Sequence, residues 1–197
     1  MTPDRVVVIF GLAGSGKSTL ANGIGRHFGL RVIHPSGIMR DLMERKQVDL
    51  ERTRQNDGYW ESDEGARLLA DRLGQATPVD VEANLMLLRE VDRGDVVIDS
   101  WALPWLTDKG VKIHLLADLP VRAQRAAERA QIPYSKALEL ISQKDEQTRQ
   151  LFQRLYGFDI MRDHHVFHHS LDTNSLSVAE VLEHCTALLR GSGSPHP

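Results

Sequence analysis

Only one cysteine, Cys185, stands among 197 residues. With no second thiol an intramolecular disulfide is excluded, so cohesion has to come from apolar burial. Long apolar runs are also missing: none reaches the ~18 residues that a membrane-crossing helix needs. The short run in MTPDRVVVIFG lacks the basic leader and small-residue cleavage site of a secretory signal. A positive surplus is absent as well. The 24 Lys and Arg against 27 Asp and Glu give a formal net charge of −3. That argues against a nucleic-acid polymer as partner, because proteins that grip phosphate backbones carry excess basic charge. From these absences the expectation is a cytoplasmic protein with no membrane as partner. Apolar residues at 41% and charged residues at 26% are ordinary for a globular chain of this length, which suits one domain.

What is present is an alternation of apolar runs and helical patterns. VVVIF (6–10) is continuous and β-branched and ends at Gly11, as a buried strand does. Leu20, Ile24 and Phe28 then recur at helical spacing up to Gly29, a residue suited to ending a helix. RVIH (31–34), DVVIDSW (95–101), VKIHLLA (111–117) and VFHHSL (166–171) supply four further strands. Helices are predicted over 42–54, from Ser62 through Leu73, over 81–93, from Pro120, from Ser135, and after Ser177, which forms a capping box with Glu180. Strands separated by helices imply βαβ units. The expected fold class is therefore α/β, a three-layer α/β/α sandwich with a mainly parallel five-stranded sheet. GSGSPHP at the end reads as a disordered tail over 191–197.

GLAGSGKST (11–19) follows the first strand and opens the first helix. Gly11, four residues, then Gly16-Lys17-Ser18 is the P-loop spacing. Glycines let successive N–H groups turn inward onto phosphate oxygens, and the helix adds its positive end. Gly11, Ala13, Gly14, Ser15, Gly16, Lys17, Ser18 and Thr19 would line this cradle. Lys17 would reach the β- and γ-phosphates of ATP, and the Ser18 hydroxyl would ligate Mg²⁺.

Other residues have chemistry to offer. Arg122, Arg125 and Arg129 share one helix face at i, i+3, i+7 spacing. They form either a solvated basic face or a set of phosphate contacts. Asp99 ends an apolar strand where open α/β sheets place ligands. It could hold Mg²⁺ through water, accept a hydrogen bond from an acceptor, or cap a turn. Trp60 and Trp101 either stack on a base or fill an apolar patch. The histidines of DHHVFHH (163–169) come in adjacent pairs, which a strand points to opposite faces, so no zinc site is expected. Cys185 lies among Val181, Leu182 and Leu188 as a core residue.

GLAGSGKST, the helix in LADLPVRAQRAAERAQI, and QRLYGFDI followed by a strand running into LDTNSLSVAEV together resemble the nucleoside monophosphate kinases, most closely the archaeal-type cytidylate kinases. The resemblance spans nearly the whole chain, strong at both ends and weak in the middle. It implies one P-loop kinase domain over 1–190, with an acceptor-binding helical part around 38–90 and a lid around 125–155. It implies transfer of the γ-phosphoryl of MgATP to a nucleoside monophosphate such as CMP or dCMP, in a monomer or a dimer. By the same resemblance Arg125 stacks on the adenine and Asp172 and Thr173 close over it. Arg129, with Lys144 or Arg149, stabilises the transferring phosphoryl, and Arg40 holds the acceptor phosphate. Asp99 and Trp101 fall in the acceptor region. Departures concentrate there: Asp99-Ser100-Trp101 stands where the family has Glu-Gly-Arg, and Asn84 to Leu87 replace a stretch used around the pyrimidine. A kinase for another small molecule, or a nucleotide-binding switch with a decayed acceptor site, are the other readings.

Overall fold

The five residues of β1 (Val6–Phe10) are the most deeply buried strand of the protein, with Val7 through Phe10 at 0% exposure. A computed structural model describes residues 5–45 and 79–191, and β1 lies at the centre of its sheet. The other strands are β2 (Arg31–Ile33), β3 (Val96–Asp99), β4 (Val111–Leu116) and β5 (His169–Asp172). Their order is β2-β3-β1-β4-β5, and every pairing is parallel. Val8 pairs with Ile98 on one side and Lys112 on the other.

Alternation along β1 divides the core into two layers. Val7 and Ile9 face α1 (Lys17–Phe28) and α7 (Val178–Gly191), where they meet Leu20, Ile24, Val181, Cys185 and Leu189. Val6 and Val8 face α3 (Val79–Arg93) and pack on Leu87 and Val91. Continuous β-branched runs suit strands covered on both faces in this way. The remaining helices are α2 (Pro35–Arg45), the short α4 (Leu103–Leu106), α5 (Leu119–Ala130) and α6 (Tyr134–Tyr156). No described helix is long and apolar enough to cross a membrane.

The α/β class and five-stranded sheet agree with the sequence pattern; element ends differ where tertiary contacts decide. The expected strand over 166–171 begins only at His169, because His164–Val166 forms a 3-10 turn and Phe167 stacks on Phe10. α4 was not expected. Ser100 starts it, accepting hydrogen bonds at its hydroxyl from the N–H groups of Ala102 and Leu103. The helix expected over 42–54 is seen from Pro35 to Arg45; the rest of it, the Ser62–Leu73 helix, Trp60 and nearly all of the predicted tail lie outside the described residues. Parallel strands place all their C-terminal ends on one edge. The loop after β1, His34, Asp99 and Thr173 gather there.

Candidate active site

The loop between β1 and α1 is shaped by glycine where it passes α5. Gly14 has φ 80°, and a Cβ on it would sit 2.6 Å from the Arg122 carbonyl oxygen. Gly16, at φ 96°, then caps α1. The first N–H groups of α1 have no intrahelical partners, and no acidic side chain occupies its first turn. The buried Ser15 hydroxyl has no hydrogen-bond partner. A concave run of donors with an unpartnered hydroxyl inside it fits the oxygens of a phosphate chain. Lys17 bends toward the loop, its Nζ donating to the Leu12 carbonyl at 3.1 Å.

Asp99 closes the floor. The Ser18 hydroxyl donates to Asp99 Oδ2 at 2.5 Å, and His34 Nδ1 lies 2.8 Å from Asp99 Oδ1. The hydrogen bond to Asp99 raises the His34 pKa above its usual value, against the opposing effect of burial. Nε2 of the same ring lies 3.3 Å from Asn22 Oδ1. A hydroxyl beside a buried carboxylate is the hard oxygen pair that Mg²⁺ takes alongside phosphate oxygens.

From this floor a cleft of about 1110 Å³ opens. Among the residues that line it, Arg125 is fixed to Thr173: Nη1 donates to the Thr173 hydroxyl at 3.2 Å and Nη2 to its carbonyl at 2.5 Å. Thr173 is itself bound to the Leu116 carbonyl through its N–H and its hydroxyl. Arg129, one turn on, also lines the cleft. Met39 of α2, Asp80 and Asn84 of α3, Trp101, and Phe152 of α6 line it as well. Asn84 Nδ2 donates to the Tyr156 hydroxyl at 2.9 Å, which orients the amide. Lys144 of α6 is buried and also lines the cleft.

Arg122 takes a different part. It is 4% exposed and donates to the carbonyls of Ala13 and Ala117 at 3.1 and 3.0 Å. Its third nitrogen pairs with Asp145 at 2.8 Å. Of the three arginines on one helix face, this one ties loop, α5 and α6 together, and the other two reach the cleft.

Residues 6–175 match a model of the cytidylate kinase-like family. The chain belongs to that family. It is a P-loop kinase. A cytidylate kinase of Ignicoccus hospitalis is 34% identical over 158 residues, covering 79% of this chain and 82% of the relative. One from Pyrococcus horikoshii is 31% identical over 81% of this chain and 76% of its own length. In fold, the chain is similar to a shikimate kinase from Acinetobacter baumannii with TM-score 0.55 and 12% identity, covering 97% of this chain and 96% of that one.

The kinase brings Ala13 through Thr19, Asp99, Trp101, Arg125, Arg129, Lys144 and Thr173 to one cleft. Gly11 stands just behind it, its carbonyl accepting the Trp101 indole N–H at 3.1 Å. Besides Gly11, three predicted residues do not line the cleft. Arg149 is paired with Glu146 at 2.8 Å and with Asp159 at 3.4 Å, pointing away along α6. Asp172 accepts the Asn174 N–H at 2.8 Å and so shapes the turn that presents Thr173. Arg40 sits on α2 while its neighbour Met39 faces inward. His34 and Asp80 line the cleft and were not predicted. His34 carries a readable signal, a polar side chain at the C-terminal end of a strand. Asp80 carries none, since its burial depends on how α3 meets residues distant in sequence.

Proposed function

We propose that the kinase transfers the γ-phosphoryl of MgATP to a nucleoside monophosphate, with CMP or dCMP as acceptor. The observation that carries this reading is the acceptor end of the cleft: Asp80 and Asn84, one turn apart on α3 and both buried, stand beside Met39 and Phe152. Apolar walls with a fixed carboxylate and amide suit a planar base. Cytosine offers an exocyclic amino donor where uracil offers a carbonyl, so a carboxylate there favours cytosine.

In this reading the donor phosphates lie on the loop, with Lys17 and the α1 N-terminus facing their charge. Arg125 and Thr173 hold the adenine side. Phosphoryl transfer asks mainly for position and positive charge, because charge spreads over the γ-oxygens at the transition state. Lys17, Arg129 and Lys144 supply it from three elements. Ser18 and Asp99 would hold Mg²⁺, which when bound neutralises phosphate charge. The segment over 125–155 acts as a lid whose closure excludes water. Membership of a cytidylate kinase-like family and the kinship to archaeal cytidylate kinases support the reading.

A second reading, a kinase for another small molecule, draws on one observation: Trp101 walls the cleft, whereas Arg40 is absent from its lining. ADP formation from MgATP against CMP, dCMP, UMP, AMP and GMP separates the two, with Lys17→Ala as blank. The expected outcome is acceptor-dependent ADP with CMP or dCMP, reduced about 100-fold or more in Lys17→Ala. ADP at the blank level with all five would overturn the nucleotide reading and favour a hydroxylated metabolite.

A further inference from the structure

Trp101 is held by its edge and offers its faces. Its indole N–H donates to the Gly11 carbonyl at 3.1 Å, at the junction of β1 and the phosphate loop. Over its ring stand two ammonium groups from separate elements: Lys17 Nζ of α1, 5.5 Å from the ring centroid, and Lys144 Nζ of α6, 5.2 Å away. Lys144 is 5% exposed. Its helix is locked in register by the buried Arg122–Asp145 pair next to it.

Two cations brought into a partly dry cleft repel one another. An indole is neutral, yet its face is negative, so it draws ammonium groups without neutralising them. The buried Asp145 carboxylate, on the same helix as Lys144, acts on both lysines electrostatically and shares its charge with Arg122. An arginine in place of the indole would add a further cation to this group. The aromatic face adds attraction for both lysines without adding charge of either sign.

We infer that Trp101 is a positioning residue for phosphoryl transfer, holding Lys17 of the phosphate loop and Lys144 of α6 in one geometry around the transferring group. Its effect is exerted through the lysines, so it belongs to kcat and to the transition state more than to acceptor affinity. The inference rests on phosphoryl transfer at this loop and is independent of which acceptor the kinase uses.

The test compares Trp101→Phe, Trp101→Leu, Lys144→Met and the Trp101→Leu/Lys144→Met double variant. Turnover is read at saturating MgATP, with kcat and the acceptor KM separated. Calorimetry of MgADP with and without aluminium fluoride serves as a transition-state probe that needs no acceptor. Trp101→Phe, which keeps a ring face, should stay within about threefold of wild type. Trp101→Leu should lower kcat about tenfold or more while moving the acceptor KM less than threefold. It should also weaken the fluoroaluminate complex more than MgADP alone. In the double variant the two losses should fall short of multiplying, as for coupled residues. The inference is overturned if Trp101→Leu raises only the acceptor KM, if the phenylalanine and leucine variants lose equally, or if the losses multiply. Should the monophosphate reading fail and no turnover be found, the calorimetric comparison still decides: equal losses of both complexes would sink the role assigned to Trp101. If the leucine variant does not fold, Trp101→Met removes the face at similar bulk and gives the same readings.

Discussion

His114, on β4, is 4% exposed, with Phe10, Phe167 and His164 around its ring at centroid distances of 5.0, 4.6 and 4.6 Å. Its Nδ1 has no hydrogen-bond partner. Burial, aided by repulsion from His164, lowers its pKa from 6.5 to about 4. Above pH 6.5 the imidazole is neutral in both the native and unfolded states and has no effect on stability. As pH falls below that value the unfolded chain takes up a proton that the native chain refuses, so stability declines until about pH 4. The loss from this one group amounts to about 3 kcal/mol at most. Urea midpoints between pH 7 and 4.5 should fall less steeply in His114→Phe than in wild type. Parallel curves would mean that other groups carry the acid sensitivity, such as Glu180 and Glu90, whose carboxyls are held below their usual range by hydrogen bonds from Ser177 and Arg31. At this scale the sequence was legible for residues whose role is set by neighbours in the chain, such as Lys17 and Ser18 in the loop. Arg149 has its main partner within reach of the sequence, Glu146 three residues earlier at 2.8 Å, while the second, Asp159 at 3.4 Å, comes from the segment after α6 and could not be read.

Helix ends show how far an element can be read without its surroundings. Ser177 and Glu180 make the reciprocal capping box that the sequence spells: the Ser177 N–H donates to Glu180 Oε2 at 2.8 Å, and the Glu180 N–H donates to the Ser177 hydroxyl at 3.3 Å. Ser177→Ala should cost about 1 kcal/mol, measured as a lower urea midpoint with an unchanged slope. A loss near zero would show that packing of Val181 and Cys185 alone sets the start of α7. β5 was misjudged for the opposite reason. The residues before it fold into the 3-10 turn His164–Val166, after which the chain is extended again with the Phe167 ring against Phe10. α4 likewise begins where the Ser100 hydroxyl folds back on the chain, at one polar contact that periodicity does not report. Periodicity locates elements that bury a face; it is silent on short turns fixed by one polar contact.

For the molecule as a whole, α7 braces α1, the helix that follows the phosphate loop, within one layer of the core. Cys185 on α7 has 0% exposure and packs in the same cluster as Leu20 and Ile24 of α1, the helix that begins with Lys17. Burial pushes its thiol up to about 11, so at pH 8 the native thiol reacts only when α7 comes away from the sheet. Removing α7 exposes the apolar side of α1, and a loop whose helix has lost that support should not hold phosphate. Opening of α7 and release of the nucleotide should then be one event. Binding to the closed state alone slows opening-limited labelling by the factor 1 + [ligand]/Kd. MgATP at 100 times its Kd should therefore slow reaction of Cys185 with an aromatic disulfide by about 100-fold. The same experiment on Lys17→Ala should show little protection at that concentration. If MgATP leaves the wild-type labelling rate unchanged while calorimetry shows it bound, α7 opens on an intact nucleotide site and the two helices are uncoupled.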